Sequence, residues 1–186
     1  MNDPPSPEYV IAPVPIDGPI ALAESDPAWA DWYADAEDRI RGALGTRALQ
    51  VAHVGSTSVP GLAAKPVIDV ILVVADSADE AGYVPALEAA GYRLHFREPA
   101  WHEHRFLVGH QPRAIQIHVF TVGSTEVQRM VLFRDRLRAC PSDRDLYERT
   151  KRSLAAHQWS YAQDYADAKA SVVEQIMSRA RADEPC

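Results

Sequence analysis

A Gly-Ser pair and one aspartate have the residue types and spacing that best fit chemistry on a phosphorylated ligand. Twelve residues separate Ser56 from Asp69, which lies in the very apolar run from Val67 to Ala75. A glycine followed by a hydroxyl lets backbone N–H groups approach phosphate oxygens closely. A carboxylate on the next strand could hold the metal ion that bridges those oxygens. Gly55, Ser56 and Asp69 therefore predict a site that handles a nucleotide.

The apolar surroundings of Asp69 require a partner for its charge. Burying a carboxylate among valine, isoleucine and leucine costs several kcal/mol unless the group is paired or bound to a metal. One interpretation is a salt bridge to Lys65 or Arg105, and the other is a cleft where a ligand compensates the charge. Lys65, directly before Pro66, could neutralise a phosphate or pair with Asp69.

Two histidines are candidates to join this site. Strand alternation places Gln116, His118 and Phe120 on one face, so His118 could face the site as a metal ligand or as an acid or base. His53 stands two residues before Gly55 and could orient Ser56 or contact a ligand. The structural alternative for His53 is a half-buried strand histidine with a backbone partner.

Hydrophobic periodicity and turn residues predict the elements that position these side chains. Asp26-Pro27 is typical of a helix start, and the apolar spacing that follows predicts an amphipathic helix reaching Leu44. A strand over 49–54 ends at the Gly-Ser pair, and a buried strand covers 67–74. Further predictions are a helix over 79–90, strands over 92–96, 105–108 and 114–122, the last two joined as a hairpin through 109–112, and helices over 125–139, 143–157 and 161–182.

Strands followed by helices indicate an α+β fold with a mixed sheet. We predict a flexible, proline-rich lead over 1–19 and a single domain over 20–182. Within that domain the sheet core occupies 20–122 and the C-terminal helices occupy 123–182. The length of 186 residues suffices for a substantial core.

Composition and charge narrow the function class. Hydrophobic residues make up 47% and charged residues 24%, and the longest apolar run is too short to span a bilayer, so we expect no membrane association. The net charge of −7 argues against general nucleic-acid binding. Cys140 and Cys186 are the two cysteines, and we expect no useful structural disulfide and a reducing, cytoplasmic location.

Several segments occur together in the order typical of one family. They are 53–69 (HVGSTSVPGLAAKPVID), 26–29 (DPAW), 105–107 (RFL), 117–119 (IHV), 133–138 (FRDRLR) and the tyrosine- and lysine-containing helices around Tyr147 and Lys151. Over roughly 20–180 the chain resembles the GrpB family. The resemblance implies a nucleotidyltransferase-like fold: a mixed sheet with flanking helices, Gly55, Ser56 and Thr57 in the ligand-binding turn, and acids on neighbouring strands. A similar domain is fused to dephospho-coenzyme A kinase in some bacteria.

The chain departs from the pattern of active nucleotidyltransferases at one acid. The resemblance implies Asp-x-Asp on the strand after Gly-Ser, but Ile71 follows Asp69-Val70, and His118 stands where a third acid is expected. One aspartate and one imidazole hold a pair of Mg²⁺ ions poorly. Asp69 and His118 therefore remain catalytic and metal candidates in two ways: as ligands of one Zn²⁺ or Mn²⁺ ion, or as a metal-free site with His118 as acid or base.

Two further segments contain candidate ligand-binding residues. Trp101 to Arg105 contains two histidines that we expect to be solvated, whereas Arg105 could bind an anionic group. The arginine-rich segment 126–152 is typical of a solvated helix surface, with Arg134 as an exception that Asp135 could hold toward the cleft.

These residues predict a protein that binds a nucleotide such as ATP, or another phosphorylated small molecule, with or without Mg²⁺, Mn²⁺ or Zn²⁺. Turnover would mean nucleotidyl or phosphoryl transfer, or activation of a carboxylate with ATP. The alternative is a non-catalytic ligand-binding or accessory module, which the missing acid favours. A third interpretation is that the C-terminal helices bind a partner.

Overall fold

The computed structural model describes residues 7–16, 18–109 and 113–186. Its strands are β1 (Glu8–Tyr9), β2 (Gln50–Val54), β3 (Val67–Val74), β4 (Tyr92–Glu98), β5 (His104–Gly109) and β6 (Ala114–Thr121). Its helices are α1 (Ala28–Leu44), α2 (Val84–Ala89), α3 (Thr125–Ala139), α4 (Pro141–Ala155), α5 (Ala162–Asp167) and α6 (Ala170–Arg181). Short 3₁₀ turns lie at Gly45–Arg47, Ser56–Ser58 and Glu80–Gly82.

The strands form one mixed sheet in the order β1-β4-β5-β6-β3-β2. β3 and β6 run parallel, and the other neighbouring pairs are antiparallel. The predicted α+β class with a mixed sheet is confirmed. The Gly-Ser pair directly follows β2, and Asp69 lies on the adjacent strand β3. The Gly-Ser pair and Asp69 therefore lie on the neighbouring strands where the family resemblance implies them.

The two faces of the sheet are covered by different helices. Ile68, Val70 and Leu72 of β3 pack on one face with α1 and α2, where Trp29 and Ile40 are fully buried. Alternation in the strand turns Ile71 and Val73 to the opposite face, where they pack with Val54, Phe120 and Val127, the last from α3. Asp69 shares this second face, at the end of β3 that lies beside the Gly-Ser pair.

The C-terminal helices pack against the turn that follows Ser56. Val59 and Leu62 of this turn join a buried cluster with Leu137 of α3, Tyr147 of α4 and Ile176 of α6. The Nζ atom of Lys151, on α4, donates a hydrogen bond to the carbonyl of Ala63. The helices that follow the sheet in sequence therefore complete the surroundings of the Gly-Ser pair.

Most predicted elements agree with the structure within two residues, and two helices differ. The helix predicted over 79–90 is reduced to the 3₁₀ turn Glu80–Gly82 and the short α2, since Pro85 favours a helix start at that point. The helix predicted over 161–182 is broken at Ala168-Lys169, where the N–H of Lys169 bonds to Ala166 three residues earlier. The alanine-rich sequence there favours a continuous helix, so packing rather than local propensity places the break.

Other sequence predictions concern the lead, the hairpin and the cysteines. Two residues of the lead form β1 at the sheet edge, while residues 1–6 and 17 lie outside the described residues. The hairpin strands β5 and β6 pair as predicted, and 110–112 of their connection also lie outside the described residues. Contrary to the expectation of no useful structural disulfide, Cys140 and Cys186 form a disulfide. The domain boundaries and the cytoplasmic location stay predictions.

None of the helices formed by the described residues has the length and apolar character needed to cross a membrane.

Glu80 connects the loop before α2 to two strands of the sheet through ion pairs. Its carboxylate accepts hydrogen bonds from Arg97 of β4 and from the buried Arg105 of β5, at 2.6 to 2.7 Å. Arg97, more than Arg105, holds the pKa of Glu80 below its usual value.

We expect Glu80→Gln to lower the free energy of unfolding by about 2 kcal/mol, because it leaves a buried guanidinium without its counter-charge. Glu88→Gln removes an exposed carboxylate 4.0 Å from Arg93 and should change it by less than about 0.5 kcal/mol. Because the pKa of Glu80 is lowered in the folded protein, its carboxylate stabilises the fold above the pKa of the unfolded state and loses this effect as the pH falls. The difference in unfolding free energy between wild type and Glu80→Gln should therefore narrow below about pH 4. Urea denaturation at pH 7 and pH 3.5 measures the unfolding free energies of the wild type and both variants. A difference between wild type and Glu80→Gln that does not change with pH would contradict the stabilising role of the Glu80 carboxylate.

Candidate functional site

The carboxylate of Asp69 approaches the backbone of Gly55 so closely that no side chain fits between them. Val54 and Asp69 are directly paired across β2 and β3, and Gly55 follows with φ of 68°. A Cβ atom added to Gly55 would lie 2.1 Å from Oδ2 of Asp69. Glycine thus serves two requirements here, the positive φ and the close approach of the acid. The predicted pairing of the turn with the carboxylate is present in the structure.

Asp69 has no cationic side chain bonded to it among the described residues. Its carboxylate takes part in no hydrogen bond there, and its nearest ionisable partner is His118, with Nε2 4.0 Å from Oδ1. The Asp69 and His118 side chains are 25% and 21% exposed, so small solutes can reach both. Neither salt bridge considered from the sequence forms, because Lys65 stays more than 4.0 Å away and Arg105 pairs with Glu80 on the opposite face.

Ser56 and Thr57 have different environments within the 3₁₀ turn. Ser56 is half-buried and lies near the hydroxyl of Tyr147 on α4. The buried Thr57 donates to the carbonyl of Val67 and lies 3.1 Å from Nε2 of His53. Ser56 therefore faces the C-terminal helices beside Asp69, whereas the hydroxyl of Thr57 is engaged within the protein.

His53 does not face Asp69. It pairs with Val70 across the strands and stacks on Tyr33 of α1, with ring centroids 4.7 Å apart, so it lies on the face covered by α1. Burial lowers the pKa of His53 to about 4, which leaves the ring neutral at pH 7. The predicted contact with Ser56 is replaced by the contact with Thr57. This environment matches the structural alternative of a half-buried strand histidine.

His118 is part of a chain of side chains on the second face of the sheet. Its Nδ1 atom lies 3.1 Å from Nε2 of His104, and Nδ1 of His104 lies 2.7 Å from Oε2 of Glu98. The expectation of a solvated His104 is wrong, because it is 2% exposed within β5. Burial lowers the pKa of His104 to about 4, although the hydrogen bond with Glu98 opposes this shift. Alternation with Phe106 and Phe120 on the same face is a sequence signal for the position of His104.

Two tyrosine–lysine pairs from the C-terminal helices surround the site. Lys151 lies over the ring of Tyr147 at 5.0 Å, and Lys169 lies over the ring of Tyr165 at 4.6 Å. Burial lowers the pKa of Lys169, Asp69 opposes this shift, and Lys65 adds to it, so these three charges are close enough to interact. Burial also lowers the pKa of Lys151 to about 7, and the charge of Lys169 contributes.

Within the part of the chain that the structure describes, several of these polar atoms lack a partner. The side-chain amines of Lys65 and Lys169 take part in no ion pair or hydrogen bond there, although Lys169 lies over the ring of Tyr165. The hydroxyl of Tyr165 is buried without a hydrogen-bond partner. The full sequence contains three lysines, and all three lie in this region, whereas the other basic residues are arginines. Sequence reasoning assigned no role to Lys151, Lys169 or Tyr165, although the pattern Tyr-x-x-x-Lys occurs twice. It places Tyr147 and Lys151 on one face of α4, whereas Tyr165 lies on α5 and Lys169 in the break that follows it.

The remaining predicted basic residues lie beside the site or away from it. Arg134 donates to the carbonyl of His53 and pairs with Asp135, which holds it as predicted. Arg138 donates two hydrogen bonds to the carbonyl of Ser58. These two arginines fasten α3 to the Gly-Ser turn through backbone contacts. The structure does not bring Arg105 to the site, since it is 5% exposed on the opposite face.

The metal-binding capacity of the described residues is small. No group of three or more histidine, cysteine, aspartate or glutamate side chains occurs there with the geometry to hold an ion. Asp69 and His118 supply two donors, so a pair of metal ions does not fit. One Mg²⁺ or Mn²⁺ ion fits the chemistry of Asp69 if the phosphates of a ligand and water complete its oxygen shell, which is the usual way that proteins bind Mg²⁺ with nucleotides.

Two surface cavities lie away from this site. One of about 620 Å³ is lined by Asp76, His102 and Ser124, and one of about 520 Å³ is lined by Ile16 and Trp159. Neither is lined by Ser56, Asp69 or His118. Asp69 and His118 are each partly exposed on the second face of the sheet.

Comparisons with known proteins agree with this architecture. The family model described as GrpB protein matches residues 19–179 of the chain. A UPF0157 protein of Halalkalibacterium halodurans is 56% identical over 168 residues, which are 90% of this chain and 86% of that protein. The crystal structure of the conserved protein GrpB from Enterococcus faecalis superposes with a TM-score of 0.69 at 28% identity, covering 86% of this chain and 96% of that one.

A further relative is a longer protein. Dephospho-CoA kinase of Mycolicibacterium paratuberculosis is 34% identical to this chain over 160 residues, which are 73% of this chain and 39% of the kinase. The similarity therefore concerns part of that protein.

The contact between Gly55 and Asp69 can be tested by adding a methyl group. We expect Gly55→Ala to lower the free energy of unfolding by about 3 kcal/mol or more, because strain at positive φ adds to a clash with the carboxylate. Gly61→Ala is the matched control. It also has positive φ, of 80°, but open space for the new methyl group, and should cost about 1 kcal/mol.

Asp69→Ala in the Gly55→Ala background should recover part of the loss, because it removes the clashing atoms. Chemical denaturation of the wild type, Gly55→Ala, Asp69→Ala and the double variant gives the coupling energy between residues 55 and 69. Equal losses for Gly55→Ala and Gly61→Ala would contradict the close approach.

Proposed function

The chain belongs to the GrpB family, and from this premise we propose that it binds a nucleotide or another phosphorylated small molecule between Ser56, Asp69 and Lys169. The proposal depends on one observation: the charged side chains there are not bonded to one another. Lys169 interacts electrostatically with Asp69 and Lys65, yet the side-chain amines of the two lysines have no hydrogen-bond or ion-pair partner among the described residues. A ligand with phosphate groups would supply those partners.

Each member of the set has a role suited to phosphate. Lys65 and Lys169 neutralise phosphate oxygens as compact cations, and the hydroxyls of Ser56 and Tyr165 donate hydrogen bonds to them. Asp69 would bind the divalent cation that usually accompanies a nucleotide, and this cation neutralises charge on the phosphates. Lys169 interacts electrostatically with both Asp69 and Lys65, which supports this assignment.

As an enzyme, the protein would transfer a nucleotidyl or phosphoryl group, or activate a carboxylate with ATP. Its residues would act by orientation and by electrostatic stabilisation of the charge that develops on the phosphate oxygens. The cytoplasm, where such nucleotides are abundant, is the location that this function predicts.

A second candidate is a non-catalytic ligand-binding or accessory module. Ile71 occupies the position where the family resemblance implies a second acid, and no group of three metal ligands occurs among the described residues. The similarity to part of a dephospho-CoA kinase is consistent with a domain that assists another enzyme. Binding without turnover would distinguish this candidate from the transferase.

Calorimetric titration with ATP and Mg²⁺ tests the proposed site. We expect Lys169→Met and Asp69→Asn to weaken binding by about tenfold or more each, the loss typical of one charge-assisted contact. Arg181→Met is the matched control: it also removes one positive charge, but from an exposed position on α6. Absence of ATP binding to the wild type, or equal losses in Lys169→Met and Arg181→Met, would contradict the proposal.

The three lysines also allow a chemical test. We expect ATP with Mg²⁺ to slow acetylation of Lys65 and Lys169 by acetic anhydride, because phosphate oxygens would cover both amines. Mass spectrometry of the peptides measures the rates, and adenosine without phosphates is the control ligand. Equal rates with ATP and adenosine would exclude these two lysines from the site.

Binding should also take up protons. Burial holds the pKa of Lys151 near 7 and lowers that of Lys169, and a phosphate nearby would raise both. At pH 8 we therefore expect binding of ATP to take up protons, and affinity to fall as the pH rises above about 7. Calorimetry in two buffers of different ionisation enthalpy measures the uptake. Lys151→Met should reduce it, and proton release on binding would contradict this assignment.

A further inference from the structure

Aromatic rings form a row across the second face of the sheet and lead toward Asp69. Phe96 of β4 and Phe106 of β5 are direct cross-strand partners, and the centroids of their nearly parallel rings lie 4.6 Å apart. Tyr9 of β1 pairs with Phe96, and the two rings meet edge to face at 5.8 Å. On the other side, the imidazole of His118 meets Phe106 at 5.1 Å. This ring row of Tyr9, Phe96 and Phe106 therefore leads from the β1 edge of the sheet to His118, the neighbour of Asp69.

The ring row is accessible from outside the sheet. Phe96 and Phe106 are partly exposed, and Tyr9 is 47% exposed. The buried hydrophobic clusters of the described residues include none of the three, whereas Phe120 of the same face packs with Val127 of α3. Exposed aromatic surface beside a few polar groups is typical of a ligand-binding surface.

Gln116 adds a polar group between the ring row and Asp69. It pairs with Asp69 of β3 on one side and with Val108 of β5 on the other. Alternation along β6 turns its side chain to the same face as His118. The side chain is partly exposed, and its amide takes part in no hydrogen bond with another described residue. This amide can offer N–H donors and a carbonyl acceptor to a ligand.

The ring row lies about the length of a nucleotide from the proposed phosphate site. β6 lies between β3 and β5, and Phe106 is level with Ile71, two residues beyond Asp69. With strands about 4.8 Å apart and a rise of about 3.3 Å per residue, the backbones of Asp69 and Phe106 are about 12 Å apart. This separation is comparable with that between the base and the terminal phosphate of an extended nucleoside triphosphate. A nucleotide with its phosphates beside Asp69 can therefore extend its base past Gln116 to Phe106.

We propose that Phe96, Phe106 and Gln116 form a subsite for the nucleobase of the ligand. This inference rests on the proposed binding of a nucleotide and adds the position of its base. The two phenylalanine rings stack along the sheet, so their edges point away from it. A planar base that lies on those edges forms the edge-to-face contact that aromatic pairs favour. The amide of Gln116 bonds to a neighbouring donor and acceptor on the edge of the base, as glutamine does with adenine. The subsite therefore selects a nucleotide over other phosphorylated small molecules.

Calorimetric titration with two ligands separates the base from the phosphates. ATP with Mg²⁺ contains both groups, whereas inorganic tripolyphosphate with Mg²⁺ contains phosphates alone. We expect Gln116→Leu and Phe106→Leu to weaken ATP binding by about three- to tenfold each, the loss typical of one neutral hydrogen bond or one aromatic contact. Both variants should bind tripolyphosphate within about twofold of the wild type, because the residues proposed to bind phosphate are unchanged. Gln128→Leu, at an exposed position on α3, is the matched control and should bind both ligands as the wild type does.

NMR of the wild type tests the position of the base without a substitution. The chain contains four phenylalanines, so selective labelling of phenylalanine gives few ring signals to assign. In the complex with ATP and Mg²⁺ we expect nuclear Overhauser contacts from the adenine protons to the rings of Phe96 and Phe106. Phe133 of α3, whose ring packs against Tyr147, should show none.

ATP that binds without contacts between adenine and the two phenylalanines would overturn the inference, and so would equal losses of ATP and tripolyphosphate binding in Gln116→Leu. Tripolyphosphate binding combined with either result refutes the subsite alone. If neither ATP nor tripolyphosphate binds, the nucleotide proposal fails, and adenosine by itself then decides the subsite. Contacts of adenosine with both phenylalanine rings would retain the subsite, and their absence would refute it.

Discussion

The close approach of the Asp69 carboxylate to the backbone of Gly55 is the constraint on which the site depends. It requires that β2 and β3 pair in one register and that residue 55 has no side chain. It also fixes the side from which the acid can be reached, because α3 covers the same face further along β3. No cationic side chain among the described residues is bonded to this acid, which indicates that its charge serves a purpose other than stability.

The C-terminal helices complete this environment with positive charge. Two Tyr-x-x-x-Lys pairs bring amines and hydroxyls to the turn, while Arg134 and Arg138 fasten α3 to its backbone. The distribution of basic residues has a physical reason. Arginine keeps its charge and forms several hydrogen bonds of fixed geometry, which suits it to connect a helix to the backbone of a turn. Lysine is a compact charge whose pKa responds to burial and to ligands.

Groups from the sheet and from the C-terminal segment both interact with Asp69. On the sheet, Nε2 of His118 lies 4.0 Å from Oδ1 of Asp69. From the C-terminal segment, the charge of Lys169 is close enough to interact with that of Asp69. Segments distant in sequence therefore share the surroundings of one acid.

The sequence by itself determined the local features: the strand over 67–74, the glycine turn and most helix boundaries. These follow from periods of 2 and 3.6 residues and from turn residues, which are local properties. The family resemblance made His118 a site candidate, and the pairing of β6 with β3 placed it beside Asp69. The tertiary structure alone decided that Arg105 and His53 face away, that His104 is buried, and that Lys169 lies close enough to Asp69 for their charges to interact. Those outcomes depend on strand order and on a helix break at Ala168-Lys169, and both are set by packing between segments distant in sequence.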